Sequence, residues 1–84
     1  MLTLILAREL RGRGVTVNAV APGPTATELF LKGKSPELID RIAGLSPLER
    51  LGTPGEIANV VSMIASHDGD WINGQTIFVN GGSA

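Results

Sequence analysis

The sequence predicts an α/β fold in which two parallel strands are joined by a long crossover carrying helices. Three stretches predict it. Val15 to Val20 has Val15, Val17 and Ala19 on one face and Thr16, Asn18 and Val20 on the other. Apolar side chains on both faces suit a strand covered on both sides, as in parallel sheets. Thr53-Pro54-Gly55-Glu56 forms a capping box, in which the Thr hydroxyl and the Glu carboxylate each satisfy an orphan backbone donor. Gln75 to Asn80 alternates Ile77 and Val79 against Thr76 and Phe78, the period of a second strand. A strand–helix–strand unit with so long a crossover pairs in parallel with a right-handed connection.

The elements follow in order. Met1 to Arg11 is expected as a helix, with Leu2, Ile5, Leu6 and Leu10 in one apolar stripe and Gly12 and Gly14 as the stop. Strand Val15 to Val20 is expected to end before Pro22, which has no N–H for a ladder. Thr25 to Leu31 suits a short helix carrying Leu29, Phe30 and Leu31. Ser35-Pro36-Glu37 starts another, with Ser as cap, Pro at the first helical position and an acid in the first turn. Leu38, Ile39 and Ile42 make its stripe, and Gly44 closes it. The capping-box helix runs from Thr53 to about Ser66 with Ile57, Val60, Val61 and Ile64 on one face. His67 to Asp70 is a polar turn, and Gly81-Gly82 ends the second strand.

Composition bounds the function. Eighty-four residues make at most one small domain. Such a domain buries only roughly 60% of the surface of its unfolded chain. Without cysteine there is neither a disulfide nor a thiolate metal site, and one histidine excludes a multi-histidine site, so no metal is expected. A net charge of -1 gives no electrostatic case for nucleic acid or an anionic membrane. Leu4 to Ala7 is too short for a signal peptide's apolar core, and its basic residues follow it. No apolar run approaches the ~20 residues of a membrane helix, so the cytoplasm is the expected location.

The stretch with most chemical promise is Val15 to Thr27. Ligands of open α/β sheets bind outside the carboxyl ends of the strands, where Pro22-Gly23-Pro24 sits. Gly23 permits close backbone approach, the prolines stiffen the turn, and Thr25 and Thr27 offer hydroxyls and N–H groups to an amide or phosphate. A rigid turn leading into a helix cap has the same residues, and spacing alone does not separate the two.

Several motifs in order carry a resemblance: Val17-Asn18-Ala19-Val20-Ala21-Pro22-Gly23, then Thr27, then Arg50-Leu51-Gly52-Thr53-Pro54-Gly55-Glu56-Ile57-Ala58, then Ile72-Asn73-Gly74-Gln75-Thr76-Ile77-Phe78-Val79-Asn80-Gly81-Gly82. Together they resemble the carboxyl-terminal segment of the short-chain dehydrogenase/reductase family, above all its 3-oxoacyl-thioester reductases. The resemblance spans the whole chain. It implies the carboxyl-terminal part of a Rossmann-type doubly wound parallel sheet, NAD or NADP as cofactor, and hydride transfer between nicotinamide and a carbonyl or alcohol.

The cofactor-binding residues it implies are Pro22 and Gly23 beside the nicotinamide ring, Thr25 through its backbone, and Thr27 at the carboxamide and phosphates. Residues 25–47 correspond to the substrate lid. The family's Gly-rich loop, catalytic serine and Tyr-x-x-x-Lys pair have no counterpart here, and the chain contains no tyrosine. No catalytic residue is therefore assigned, and the chain alone is expected to be inactive. The alternative is a non-enzymatic oligomerisation module, since the family's equivalents of the first helix, long helix and last strand make subunit contacts. Asn18 resembles a family asparagine that ties neighbouring loops. His67 is expected to cap the long helix, Trp71 to cover a core edge or subunit contact, and Gly81-Gly82 to serve packing. Arg50 and Glu56 suit either a paired anchor for the lid or two solvated charges.

Overall fold

The computed structural model describes residues 2–83. In chain order it contains α1 (Leu2–Glu9), β1 (Ala19–Pro22), α2 (Glu28–Leu31), α3 (Pro36–Gly44), α4 (Pro54–Ala65), a 3₁₀ turn (His67–Gly69) and β2 (Thr76–Val79). β1 and β2 form a parallel pair with Ala19 opposite Thr76 and Pro22 opposite Val79. The expected α/β unit, two parallel strands with crossover helices between them, is thus what the chain forms.

The helix starts were legible because their caps are local. Thr53 Oγ1 accepts from Glu56 N at 3.2 Å while Glu56 Oε1 accepts from Thr53 N at 3.0 Å. Ser35 caps α3 by accepting from Leu38 N, and Pro36 occupies the first turn. Pro54 does the same in α4.

β1 differs from expectation. It begins at Ala19 instead of Val15 and includes Pro22. Residues ahead of it are held by a loop instead of a ladder: Val17 N donates to Asn73 Oδ1 at 3.0 Å, and Gly74 N donates to Val17 O at 2.8 Å. Pro22 fits because of alternation. Ala19 N and Gly23 N donate to Gln75 O and Val79 O, so odd positions face β2. The even position Pro22 directs its missing N–H to the open edge, where a parallel ladder with β2 loses nothing.

The expected two-sided cover of this strand is also incomplete. Ala19, Val20 and Ala21 are half-buried and Pro22 is exposed. α1 stops at Glu9, two residues short of Arg11, and residues 10–14 form turns. Its first expected residue, Met1, lies outside the described residues. The face it buries is not the predicted stripe. Ala7 is buried and Leu4 half-buried against the loop before β2, whereas Leu2, Ile5 and Leu6 are exposed. A Cβ on Gly74 would lie 2.9 Å from Leu4 Cδ1, which fixes that contact.

Packing beyond the strand pair is sparse. Ala7 is the one buried hydrophobic residue among those described. Neither α2 nor α3 packs extensively on another element. The chain exposes 6249 Å². A compact monomer of its 8.8 kDa mass exposes about 4,800 Å². Its radius of gyration is 15.6 Å, against about 12 Å for a compact chain of this length.

Candidate functional site

The sheet's carboxyl end carries the residues that the sequence singles out. Gly23 follows β1 directly, and its N–H donates to Val79 O at 2.9 Å. A Cβ there would lie 2.6 Å from Asn80 Cβ and 2.8 Å from Asn80 Cα. The close approach that Gly23 permits is therefore to the end of β2. Ordinary Cβ contacts do not occur at such distances, so this position accepts only glycine without movement of a strand.

Thr25 sits two residues on. Its Oγ1 donates to Gly23 O at 2.8 Å, closing the turn on itself. Thr25 also forms an isolated parallel bridge with Gly52. The bridge consists of Gly52 N donating to Pro24 O at 3.0 Å and Ala26 N donating to Gly52 O at 2.9 Å. In that pattern the flanking residues bond Gly52, so Thr25's own N–H is turned to the open side.

Thr27 is the N-cap of α2, accepting from Phe30 N at 3.1 Å through Oγ1. Its hydroxyl proton is not used in that bond. Lys34 folds back on α2, donating to Phe30 O with its Nζ 4.3 Å from the Phe30 ring centroid. Pro22, Gly23, Thr25 and Thr27 thus share one turn. Its accepting and donating groups are mostly engaged within the chain, and the Thr25 N–H and the Thr27 O–H donate to no partner among the described residues.

Arg50 and Glu56 are paired. Both guanidinium nitrogens donate to the carboxylate, at 2.6 and 2.7 Å, and Arg50 also donates to Leu51 O. The Arg50 hydrogen bond, then the Thr53 N–H, lower the Glu56 pKa to about 2. Arg50 is raised by the same partner. The pair flanks a cavity of about 180 Å³ whose walls include Pro24, Leu48, Gly52, Val79, Asn80 and Gly81. It ties the loop after the 25–47 segment to the first turn of α4, and both side chains stay about half exposed.

Asn18 ties neighbouring loops as expected. Its Nδ2 donates to Ile72 O at 3.0 Å and its Oδ1 accepts from Gln75 N at 3.1 Å. One expectation fails and one narrows. His67 does not cap α4: Ser66 is the C-cap, and His67 opens the next turn and pairs with Asp70 at 3.0 Å. Trp71, 99% exposed, covers no core edge among the described residues, which leaves the subunit contact of the two expected roles. Gly81 and Gly82 do serve packing, against Ser46 and Pro47 respectively. Ser46, which roots the 25–47 segment, carried no sequence signal, and Gly52 stood in a motif without its bridging role being readable, because their bonds reach residues distant in the chain.

A parallel α/β unit with a tight Pro-Gly turn at its carboxyl end has the geometry of open α/β sheets, whose ligands bind beyond the carboxyl ends of the strands. Comparison with known proteins narrows the class. A family profile described as Enoyl-(Acyl carrier protein) reductase matches residues 1–84. The chain belongs to the short-chain dehydrogenase/reductase family of oxidoreductases, and its sheet is part of that family's Rossmann-type fold. It is 53% identical over 78 residues to an NADPH-dependent aldehyde reductase-like protein, chloroplastic, of Arabidopsis thaliana, covering 93% of this chain and 29% of that one. It is 47% identical over 81 residues to a 3-oxoacyl-[acyl-carrier-protein] reductase of Staphylococcus epidermidis, covering 96% of this chain and 33% of the relative.

Among solved structures, the 3-oxoacyl-[acyl-carrier protein] reductase of Brucella melitensis matches with a TM-score of 0.89 at 40% identity, covering 96% of this chain and 30% of that one. The angucycline C-6 ketoreductase LanV, solved with bound NADP, matches with a TM-score of 0.84 at 38% identity, covering 98% of this chain and 32% of that one. The chain therefore spans about a third of the length of these relatives. Among the described residues no helix is long and apolar enough to cross a membrane, and no acidic or histidine cluster is arranged to hold a metal.

Proposed function

We propose that residues 1–84 are the carboxyl-terminal third of an NADP(H)-dependent carbonyl reductase domain, with residues 25–47 as its substrate lid. The turn Pro22, Gly23, Thr25 and Thr27 then supplies one wall of the nicotinamide pocket. The match of nearly the whole chain, at a TM-score of 0.89, to 30% of a reductase carries this reading. The residues present fit the group. Pro22 and Gly23 give a rigid, narrow backbone for a flat ring. The outward Thr25 N–H suits a carboxamide oxygen, and the Thr27 O–H suits the carboxamide or a phosphate oxygen. The cofactor supplies the hydride; this chain's residues orient the ring that carries it.

Alone, the chain performs no hydride transfer in this proposal, since it holds no tyrosine to act as proton donor and no Gly-rich phosphate loop. The test is an assay of the purified 84-residue chain with NADPH and aldehyde or ketone substrates, followed at the nicotinamide absorbance. No turnover is expected. Turnover that copurifies with the chain through two columns sinks the proposal.

The exposed apolar surface favours a second reading, an oligomerisation module. Leu2, Ile5 and Leu6 on α1 and Phe78 on β2 face solvent. The surface excess over a compact monomer, about 1,500 Å² by the same scaling, is nearly twice the about 800 Å² that each partner contributes to a standard interface. Sedimentation equilibrium separates the readings: a folded monomer at micromolar concentration argues against self-association.

A further inference from the structure

The segment between Ala26 and Leu45 carries α2 and α3 and is rooted to the rest of the chain at its two ends. The first root is backbone, the Gly52 bridge to Pro24 and Ala26. The second root is a side chain. Ser46 is 5% exposed and is the one buried polar side chain among the described residues. Its Oγ donates to Gly81 O at 2.8 Å and accepts from Leu48 N at 3.2 Å, so both hydroxyl functions are used. The fit is tight from the other side too. A Cβ on Gly81, whose φ is 62°, would lie 2.6 Å from Ser46 Oγ, and one on Gly82 would lie 3.1 Å from Pro47 Cγ. Just beyond, Glu49 takes a left-handed φ of 56° and donates to Ser46 O at 2.7 Å, turning the chain back toward Arg50.

We propose that Ser46 is a positioning residue, a latch that fixes where the 26–45 segment stands over the carboxyl end of the sheet. A backbone root cannot be released by one side chain; a hydroxyl root can. Without the latch the segment pivots on the Gly52 bridge, because α2 and α3 pack on little else. The latch ties together Leu48 and Gly81, two residues that line the cavity beside the sheet end. That this segment covers a substrate rests on the function proposed above; its tethering does not.

The test uses the absence of cysteine. Spin labels are placed on the exposed positions Glu37 of α3 and Ser62 of α4 through Glu37→Cys and Ser62→Cys, and the label–label distance distribution is measured by pulsed electron resonance. The unmodified latch gives a narrow distribution, and Ser46→Ala at least doubles its width while helicity at 222 nm is unchanged. Leu48 N–H exchange rises about tenfold in the same variant, the loss of one hydrogen bond's protection. Gly81→Ala, which pushes the hydroxyl away from its acceptor, broadens the distribution similarly, and adding Ser46→Ala to it broadens it no further. A distribution already broad before substitution overturns the latch. So does one unchanged by Ser46→Ala, effects of the two substitutions that simply add, or a loss of helicity that assigns Ser46 to folding instead of positioning. Turnover of NADPH by the chain alone, with the narrow-to-broad change intact, removes the proposed function and keeps the latch.

Discussion

Gly23 is where the structure makes its sharpest demand. Gly23→Ala places a methyl 2.6 Å from Asn80 Cβ and 2.8 Å from Asn80 Cα. Ordinary carbon contacts lie at about 3.5–4.0 Å, so roughly 1 Å of separation is required. The obstructing Cα is main chain and the Cβ is fixed to it, so no rotamer change relieves the contact. β1 and β2 must part at their carboxyl ends, which stretches the 2.9 Å bond from Gly23 N to Val79 O. Overpacking costs about 1–3 kcal/mol and a weakened hydrogen bond about 1 kcal/mol, so the loss is about 2–4 kcal/mol. A chain of this size has about 4–13 kcal/mol in all, and sparse burial puts this one at the low end.

Urea unfolding followed at 222 nm measures the loss. With a slope near the low end for so small a chain, about 1 kcal/mol per molar, the midpoint falls by about 2–4 M or the transition disappears. Gly44→Ala is the control. Gly44 ends α3 with nothing within 4 Å of a Cβ, so this change leaves the midpoint unchanged or raises it. A Gly23→Ala midpoint equal to the parent's refutes the strand-contact argument and returns the glycine to a ligand role alone.

Two further predictions follow from side chains. The folded Glu56 pKa is about 2, below its ordinary value, so its contribution is present above about 4.5 and is lost as pH falls toward 2. Carboxyl carbon shifts in an NMR titration should place the Glu56 midpoint near 2, and Arg50→Ala should move it up toward the ordinary range; no movement removes Arg50 as the main cause. Asn18→Ala removes two bonds of the part-buried clamp, to Ile72 O and from Gln75 N, and should cost about 1–3 kcal/mol. Gln75 N–H should exchange faster in that variant; an unchanged rate removes the clamp.

What the sequence made legible was local. Thr53 and Glu56 satisfy each other within one helical turn, as do Ser35 and Leu38 N, so those helix starts are written in adjacent residues. β1 was misplaced because its start is set 56 residues away in sequence, by Asn73 accepting from Val17 N. The buried face of α1 was misread for the same reason: Leu4 and Ala7 are selected by the backbone of Gly74, not by their own spacing. The site shows both behaviours. The Pro22-Gly23-Pro24 turn was visible as a turn, but its partner Asn80, the Thr25–Gly52 bridge and the Ser46 latch were not.

The position of Pro22 joins the fold to the site. Even-numbered residues of β1 face the sheet's open edge, so a further parallel strand laid there finds the N–H of Val20. At Pro22 it finds none, and one residue later the chain is pinned to the end of β2 through Gly23 N. Any ladder on that edge therefore weakens at the height of Gly23. The turn that follows is held open to solvent on one side by a missing donor and closed on the other by contact with Asn80. A proline at the end of a strand is a defect for pairing. Here it keeps the Pro22–Thr27 turn outside the sheet, and a sheet end left unpaired is where a flat ligand can lie against backbone.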